Sequence, residues 1–311
     1  MKISILTSPT TQAFGAEVGY RMIREAGFEA VDLDLCSPLP GAVLKKATQL
    51  KDLSIYEGST EEILAYLEPQ LCEIKRNGLQ ITQAHAPFPP DFPDVPCRSE
   101  VVDYLIAIYG KLIEVCEAIG CPNLIIHGFS KTIVNVEDSF EDIRTMNWHM
   151  YESLIPTLQK TNVTVCLENL FTKNKLDYFQ GCCADPHEAV EYIDKLNEMA
   201  GKECFGLCLD TGHLHLLRGR FGVYAPILGK RIKALHVHDN DMKSDQHLLP
   251  YSGSIAWEEF TDAMHDIGYD RDLSFECDAQ IKASRVGASL VPVFLRTIYE
   301  IGDQFRHQIT E

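Results

Sequence analysis

Eight short β-rich runs alternate with amphipathic stretches along this chain, and that alternation limits the fold more than any other feature. The runs are Ile3 to Leu6, Val31 to Leu35, Leu79 to Ala84, Asn123 to His127, Val163 to Leu167, Phe205 to Leu209, Ile232 to Val237 and Leu273 to Phe275. Between them lie helical patterns, including Thr60 to Asn77, Val101 to Ile119, Trp148 to Gln159, Pro186 to Met199, Trp257 to Ile267 and Ala288 to Ile301. The first of these opens on Ser59-Thr60-Glu61-Glu62, which suits N-terminal capping, and it aligns Ile63, Leu64, Leu67, Leu71 and Ile74 on one face. Gly27, Gly78, Gly120 and Gly268 each close a helical run, where a left-handed cap favours a residue without Cβ. Right-handed crossovers joining eight successive parallel strands favour closure of the last strand on the first. The expected fold is therefore an α/β protein with a (β/α)8 TIM barrel, a single domain over residues 1–311 with a short polar tail from about residue 302. An open doubly wound sheet is the competing arrangement, but no GxGxxG follows the first strand, so a nucleotide cofactor is not expected.

A parallel barrel carries its chemistry at the C-terminal ends of its strands. Those ends read Gln83-Ala84-His85-Ala86-Pro87, Ile125-Ile126-His127-Gly128, Cys166-Leu167-Glu168-Asn169, Leu209-Asp210-Thr211-Gly212-His213 and Phe275-Glu276-Cys277-Asp278. The seventh run, Arg231 to Trp257, releases His236, His238, Asp239, Asp241, Asp245 and His247 in quick succession. Imidazoles and carboxylates are the usual ligands of zinc, manganese and related divalent ions. Of the 11 histidines, seven lie at or just after strand ends, while His149, His187, His265 and His307 fall in helical patterns or the tail and read as surface residues. Within the strands, Cys166, Cys208, Ala234 and Ser274 share a face with Glu168, Asp210, His236 and Glu276, and small neighbours leave room for a cavity.

Composition narrows the partners. A net charge of −17 would repel nucleic acid as a whole, since duplex binding draws on Lys and Arg against phosphates. No apolar run reaches about 18 residues, so no membrane span is expected, and MKISILTSPT reads as a first strand of a cytoplasmic protein. The 11 cysteines form no CxxC, and Cys36, Cys116, Cys166, Cys208 and Cys277 sit in apolar runs as free core thiols.

The series HAPF, IIHG, LEN, LDTGH, HVHDND, DQH and FEC resembles, in order and over nearly the whole chain, the motifs of the xylose-isomerase-like TIM barrels. That superfamily holds sugar isomerases, ketose epimerases, inosose dehydratases and the repair enzyme endonuclease IV. The resemblance to its epimerases implies one divalent ion (Mn2+, Zn2+, Co2+ or Mg2+) on Glu168, Asp210, His236 and Glu276. It also implies catalytic proton transfer by Glu168 and Glu276 through a metal-stabilised enediolate, and a substrate contact from His213. His85, Asn169 and Lys243, with Arg218, are further candidates for the oxygens of a small-molecule sugar, sugar phosphate, sugar acid or polyol-derived ketone. The endonuclease pattern implies additional metal ligands: His85 and His127 with Glu168 on one zinc, and His213, Asp245 and His247 on another. His85 and His127 read equally as pocket walls. His238 could face the cavity or solvent, and Asp32 and Asp34 read as substrate contacts or as exposed loop carboxylates. Some epimerases follow the metal-binding histidine with a sugar-gripping arginine, where this chain has Asp241-Met242-Lys243. Trp257 reads as packing. The expected activity is a metal-dependent sugar isomerase or epimerase. The alternatives are a zinc-dependent apurinic-site endonuclease or phosphodiesterase and a non-catalytic metabolite-binding barrel. A homo-oligomer stays open, as does the role of the Pro-rich loop 87–98.

Overall fold

The computed structural model describes residues 1–36, 55–89, 98–130, 141–174, 177–282 and 286–311. The segment 90–97 of the Pro-rich loop lies outside them. Ten strands are described: β1 (Ile3–Leu6), β2 (Ala30–Asp34), β3 (Gln80–His85), β4 (Asn123–Ile125), β5 (Thr164–Glu168), β6 (Phe171–Lys173), β7 (Tyr178–Gln180), β8 (Phe205–Asp210), β9 (Ile232–His236) and β10 (Leu273–Phe275). Eight of them hydrogen-bond in the order β10-β1-β2-β3-β4-β5-β8-β9, and β6 and β7 form a separate antiparallel hairpin. Registers such as Ser4 opposite Ala30 and Ser274, and Leu124 opposite Val165, are parallel. A parallel bridge between Val237 and Phe275 joins the last strand of that order to the first. All eight expected runs are strands, each within two residues of its reading, and the fold is the expected TIM barrel.

Two compact units can be distinguished. The first comprises Met1–Asp34, Leu67–Gln83 and Cys208–Glu311; the second comprises Leu35–Tyr66 and Ala84–Leu207. The first packs phenyl and indole rings: Trp257 stacks on Phe305 at 5.2 Å, and Phe260 meets Phe221 edge-on at 5.3 Å. This cluster corrects the expectation of a polar tail from residue 302. The last helix runs from Val291 to Thr310, because Phe305 and Ile309 continue the buried stripe of Leu295 and Ile298. The second unit instead ties tyrosine hydroxyls to backbone at strand ends, with Tyr151 donating to Ile126 O at 2.9 Å and Tyr109 to Pro87 O at 2.9 Å.

Local signals account for some helix ends. Ser59 and Glu62 form the reciprocal capping pair expected from sequence, with Ser59 N donating to Glu62 Oε2 at 2.8 Å and Glu62 N to Ser59 Oγ at 3.3 Å. The stretch read as one helix from Trp148 is two, Glu141–Ser153 and Ile155–Leu158. Pro156 sits in the first turn of the second, where its missing N–H costs nothing, and so marks a restart rather than a continuation. His149, His187, His265 and His307 are exposed, as expected. Cys116, Cys166, Cys208 and Cys277 are buried free thiols, whereas Cys36 is half-buried with its Sγ 3.1 Å from Ala86 O.

Candidate functional site

In the first unit, β8 and β9 end on Asp210 and His236, and Glu276 directly follows β10. All three side chains are buried, and His236 Nδ1 lies 3.7 Å from Glu276 Oε2 and 4.0 Å from Asp210 Oδ2. One donor atom from each residue falls within 4.8 Å of the other two, a spacing at which a single divalent cation can be shared. Asp210 also caps the helix Thr211–Leu216: its Oδ1 accepts from His213 N at 2.6 Å. Its other oxygen accepts from His238 Nε2 at 2.9 Å. Asp210 is thus fixed from both sides. The structure settles the two readings of His238, which is fully buried and aimed at Asp210 rather than at solvent. The motif LDTGH requires glycine at its fourth position for the same reason, since a Cβ on Gly212 would collide with the His238 ring.

The segment after β9 returns three further candidates. His247 lies in parallel stacking over His238 at 4.1 Å, Asp245 Oδ2 lies 3.0 Å from His247 Nε2, and His213 Nε2 lies 3.6 Å from Asp245 Oδ2. His247 Nδ1 faces the carbonyl oxygen of Glu276 at 3.0 Å, so both its ring nitrogens face acceptors and the ring is held as an imidazolium. Burial works against that charge, but the hydrogen bond to Asp245 and the carboxylates of Glu276, Asp245 and Asp210 outweigh it and push the pKa up to about 10. Burial would raise Asp245, yet hydrogen bonds from His213 and His247 hold it well below the usual carboxylate range.

Asp239 anchors this segment. It is buried, and its carboxylate accepts from the backbone N–H groups of Asn240, Gly253 and Ile255 and from Trp257 Nε1, at 2.8 to 3.1 Å. A Cβ on Gly253 would collide with Asp239, which explains the glycine there. Trp257 is packing, as read from sequence. Lys243 is 83% exposed beside Asp241, and Arg218 is exposed as well, so neither joins the buried group.

In the second unit, the ends of β3, β4 and β5 bring together a further set of ligand types. His85 Nδ1 faces Ala86 O at 2.8 Å, which places its proton there and leaves Nε2 with a lone pair. That Nε2 is 3.1 Å from His127 Nε2, and His127 Nε2 is 2.9 Å from Glu168 Oε2. Three ligand atoms therefore converge, with His85 Nε2 and Glu168 Oε2 at 3.8 Å. Phe88, 46% exposed, rests against both imidazoles, its centroid 4.9 Å from His85 and 4.7 Å from His127. Asn169 is buried beside Glu168 in sequence.

The structure overturns one of the two sequence readings of Asp32, the exposed loop carboxylate. As the third residue of β2, Asp32 is fully buried, and it accepts from Gln83 Nε2 at 2.6 Å. His236 Nε2 lies 3.3 Å from the same oxygen. Gln83 and Phe88 were given no functional role by sequence reasoning, and Asp239, read there among the metal-ligand types, is instead the anchor of its segment. The available signal for Gln83 was its position two residues before His85, on the same strand face.

Buried imidazoles and carboxylates at the C-terminal ends of parallel strands make this a TIM barrel with candidate metal-binding clusters. The family model described as xylose isomerase-like TIM barrel matches residues 20–291, and the chain belongs to that family. It is 27% identical over 172 residues to the protein y4fM of Sinorhizobium fredii, an alignment spanning 53% of this chain and half the length of that relative. Among solved structures it is similar to a D-tagatose 3-epimerase-like protein (TM-score 0.67, 19% identity, 98% of this chain and 99% of the other). It is also similar to the D-psicose 3-epimerase of Clostridium cellulolyticum H10, solved with D-tagatose (TM-score 0.68, 15% identity, 99% of each chain). A third is the 3-keto-D-glucoside 4-epimerase of E. coli (TM-score 0.64, 18% identity, 96% and 99%). Among the described residues no helix is long and apolar enough to cross a membrane.

Proposed function

We propose that this chain is a divalent-metal-dependent epimerase or isomerase of a small sugar or polyol-derived ketone. The observation that carries the reading is the convergence of Asp210, His236 and Glu276 at the ends of three strands. The donor set fits a cation: the ion-pair partners seen for Asp210, Asp245 and Glu276 are imidazoles, and Asp245 Oδ1 is buried without a hydrogen-bond partner. Such a group of carboxylates is costly unless a positive charge joins it. Hard carboxylate oxygens with one imidazole suit Mn2+, Mg2+, Co2+ or Zn2+. Asp210, His236 and Glu276 would hold the ion, with Glu168 as the fourth ligand that the family resemblance implies. When bound, the ion supplies positive charge that polarises a carbonyl and acidifies the neighbouring C–H. Glu276 and Glu168 are the proposed carriers of the proton, one removing it and the other returning it. His213 is the proposed hydrogen-bond donor to a substrate oxygen, with His85 and Asn169 lining the substrate. The sugar epimerases among the structural neighbours support the substrate class.

The test is solvent exchange. Metal-loaded protein incubated with a panel of ketoses in D2O should incorporate deuterium at the carbon next to the carbonyl, and chelator-treated protein should not. Absence of exchange across the panel, with metal bound, rejects the reading. A second reading, a zinc phosphodiesterase acting on abasic DNA, draws on the His85, His127 and Glu168 cluster together with His213, Asp245 and His247. It requires more than one zinc per chain and cleavage of an abasic duplex, and the net charge of −17 weighs against it.

A further inference from the structure

Asp32 is a buried ionisable group that neither the expected ligand set nor the proposed proton transfer uses. It is fully buried on β2, and its Oδ1 has no hydrogen-bond partner among the described residues. A carboxylate kept in the interior with one oxygen unpaired is expensive, so packing alone does not explain it. Its other oxygen receives two approaches. Gln83 Nε2 is 2.6 Å away and also 3.3 Å from the carbonyl oxygen of Leu235, so the amide nitrogen faces two acceptors and its orientation is set. His236 Nε2 approaches the same Oδ2 at 3.3 Å. An ionised carboxylate only accepts, which assigns the proton on this side of the ring to Nε2. The opposite ring nitrogen, Nδ1, is the one directed to Asp210 and Glu276.

We propose that Asp32 is a positioning residue: with Gln83 it holds the His236 ring in the tautomer whose Nδ1 lone pair points toward Asp210 and Glu276. This rests on the metal reading above for its purpose, though not for its geometry. An imidazole that donates its outer N–H to a carboxylate is fixed in orientation and becomes a stronger ligand through its other nitrogen. Asp32 thereby acts on an ion it does not touch.

The experiment uses the full-length chain with 15N-labelled histidine rings. The His236 signals are assigned as those lost in His236→Gln. With zinc added, the expected spectrum keeps the proton on Nε2 and shifts Nδ1; a proton on Nδ1 with the zinc-dependent shift at Nε2 overturns the proposal. Asp32→Asn should weaken zinc binding, measured by competition with a chelating dye, by about 10–100-fold. Gln83→Leu should weaken it in the same direction by less. Unchanged affinity in a folded Asp32→Asn protein also overturns the proposal. Should that variant not fold, the wild-type ring spectrum decides alone. If the wild-type chain binds no divalent ion, the metal reading fails separately: a proton on Nε2 in the metal-free protein then still upholds the Asp32 contact, and one on Nδ1 alone overturns it.

Discussion

The two ligand-bearing clusters differ in what holds them. Around Asp210, His236 and Glu276, several polar groups are met by other fixed groups: Asp210 by a helix N-terminus and His238, His236 by Asp32, and His247 by Asp245 and a carbonyl. Around His85, His127 and Glu168, the supports shown for the imidazoles are one carbonyl, a neighbouring imidazole, Glu168 and a half-exposed phenyl ring. Oxygen-rich and rigid on one side, nitrogen-rich and more open on the other, the pair teaches that a strand-end histidine signifies little until its second nitrogen is traced.

The contrast can be broken most directly at Asp210. Asp210→Ala strands two buried donors, His213 N and His238 Nε2, and should cost about 3–5 kcal/mol of stability in urea denaturation. His127→Ala, at a less deeply buried ring, should cost about 1 kcal/mol or less; equal losses would mean the two clusters are equally braced. A smaller effect sharpens the first cluster. In metal-free protein the His247 pKa lies near 10 against an ordinary value of 6.5, so its contribution is complete below pH 6.5 and is lost as pH rises through about 10. Asp245, shifted down, contributes above its ordinary 3.8 and loses that contribution as pH falls. Thermal melts from pH 6 to 10.5 should therefore show a decline on the order of 2 kcal/mol that His247→Gln flattens. The smallest change is Phe88→Ala, expected to cost about 0.5–1 kcal/mol through two edge contacts. A loss comparable to that of Asp210→Ala would show that the phenyl ring braces the second cluster as firmly as hydrogen bonds brace the first.

Much of this was legible in the sequence. The eight strands follow from period and length, and the ligand types at their ends follow from motif order, because both are local properties. What escaped reading depended on distant partners. Asp32 lies between Val31 and Leu33 in a buried strand, and nothing nearby in sequence announces that His236, 204 residues away, lies against it. The role of His238 depends on which way one side chain turns at the end of a strand. The last helix was cut short at Gly302 because its stripe resumes only at Phe305 and Ile309, after a residue that contributes no side chain.

The Asp239 carboxylate pins Asn240 at one end of its segment and Gly253, Ile255 and Trp257 at the other, like a staple closing a pouch. Residues between Met242 and Ser244 are exposed and hang outside that staple. The bend is closed on itself by Asp241 N donating to Gln246 Oε1 at 2.8 Å, so a change in the exposed side chains of Met242, Lys243 and Ser244 leaves both ends of the stapled segment in place.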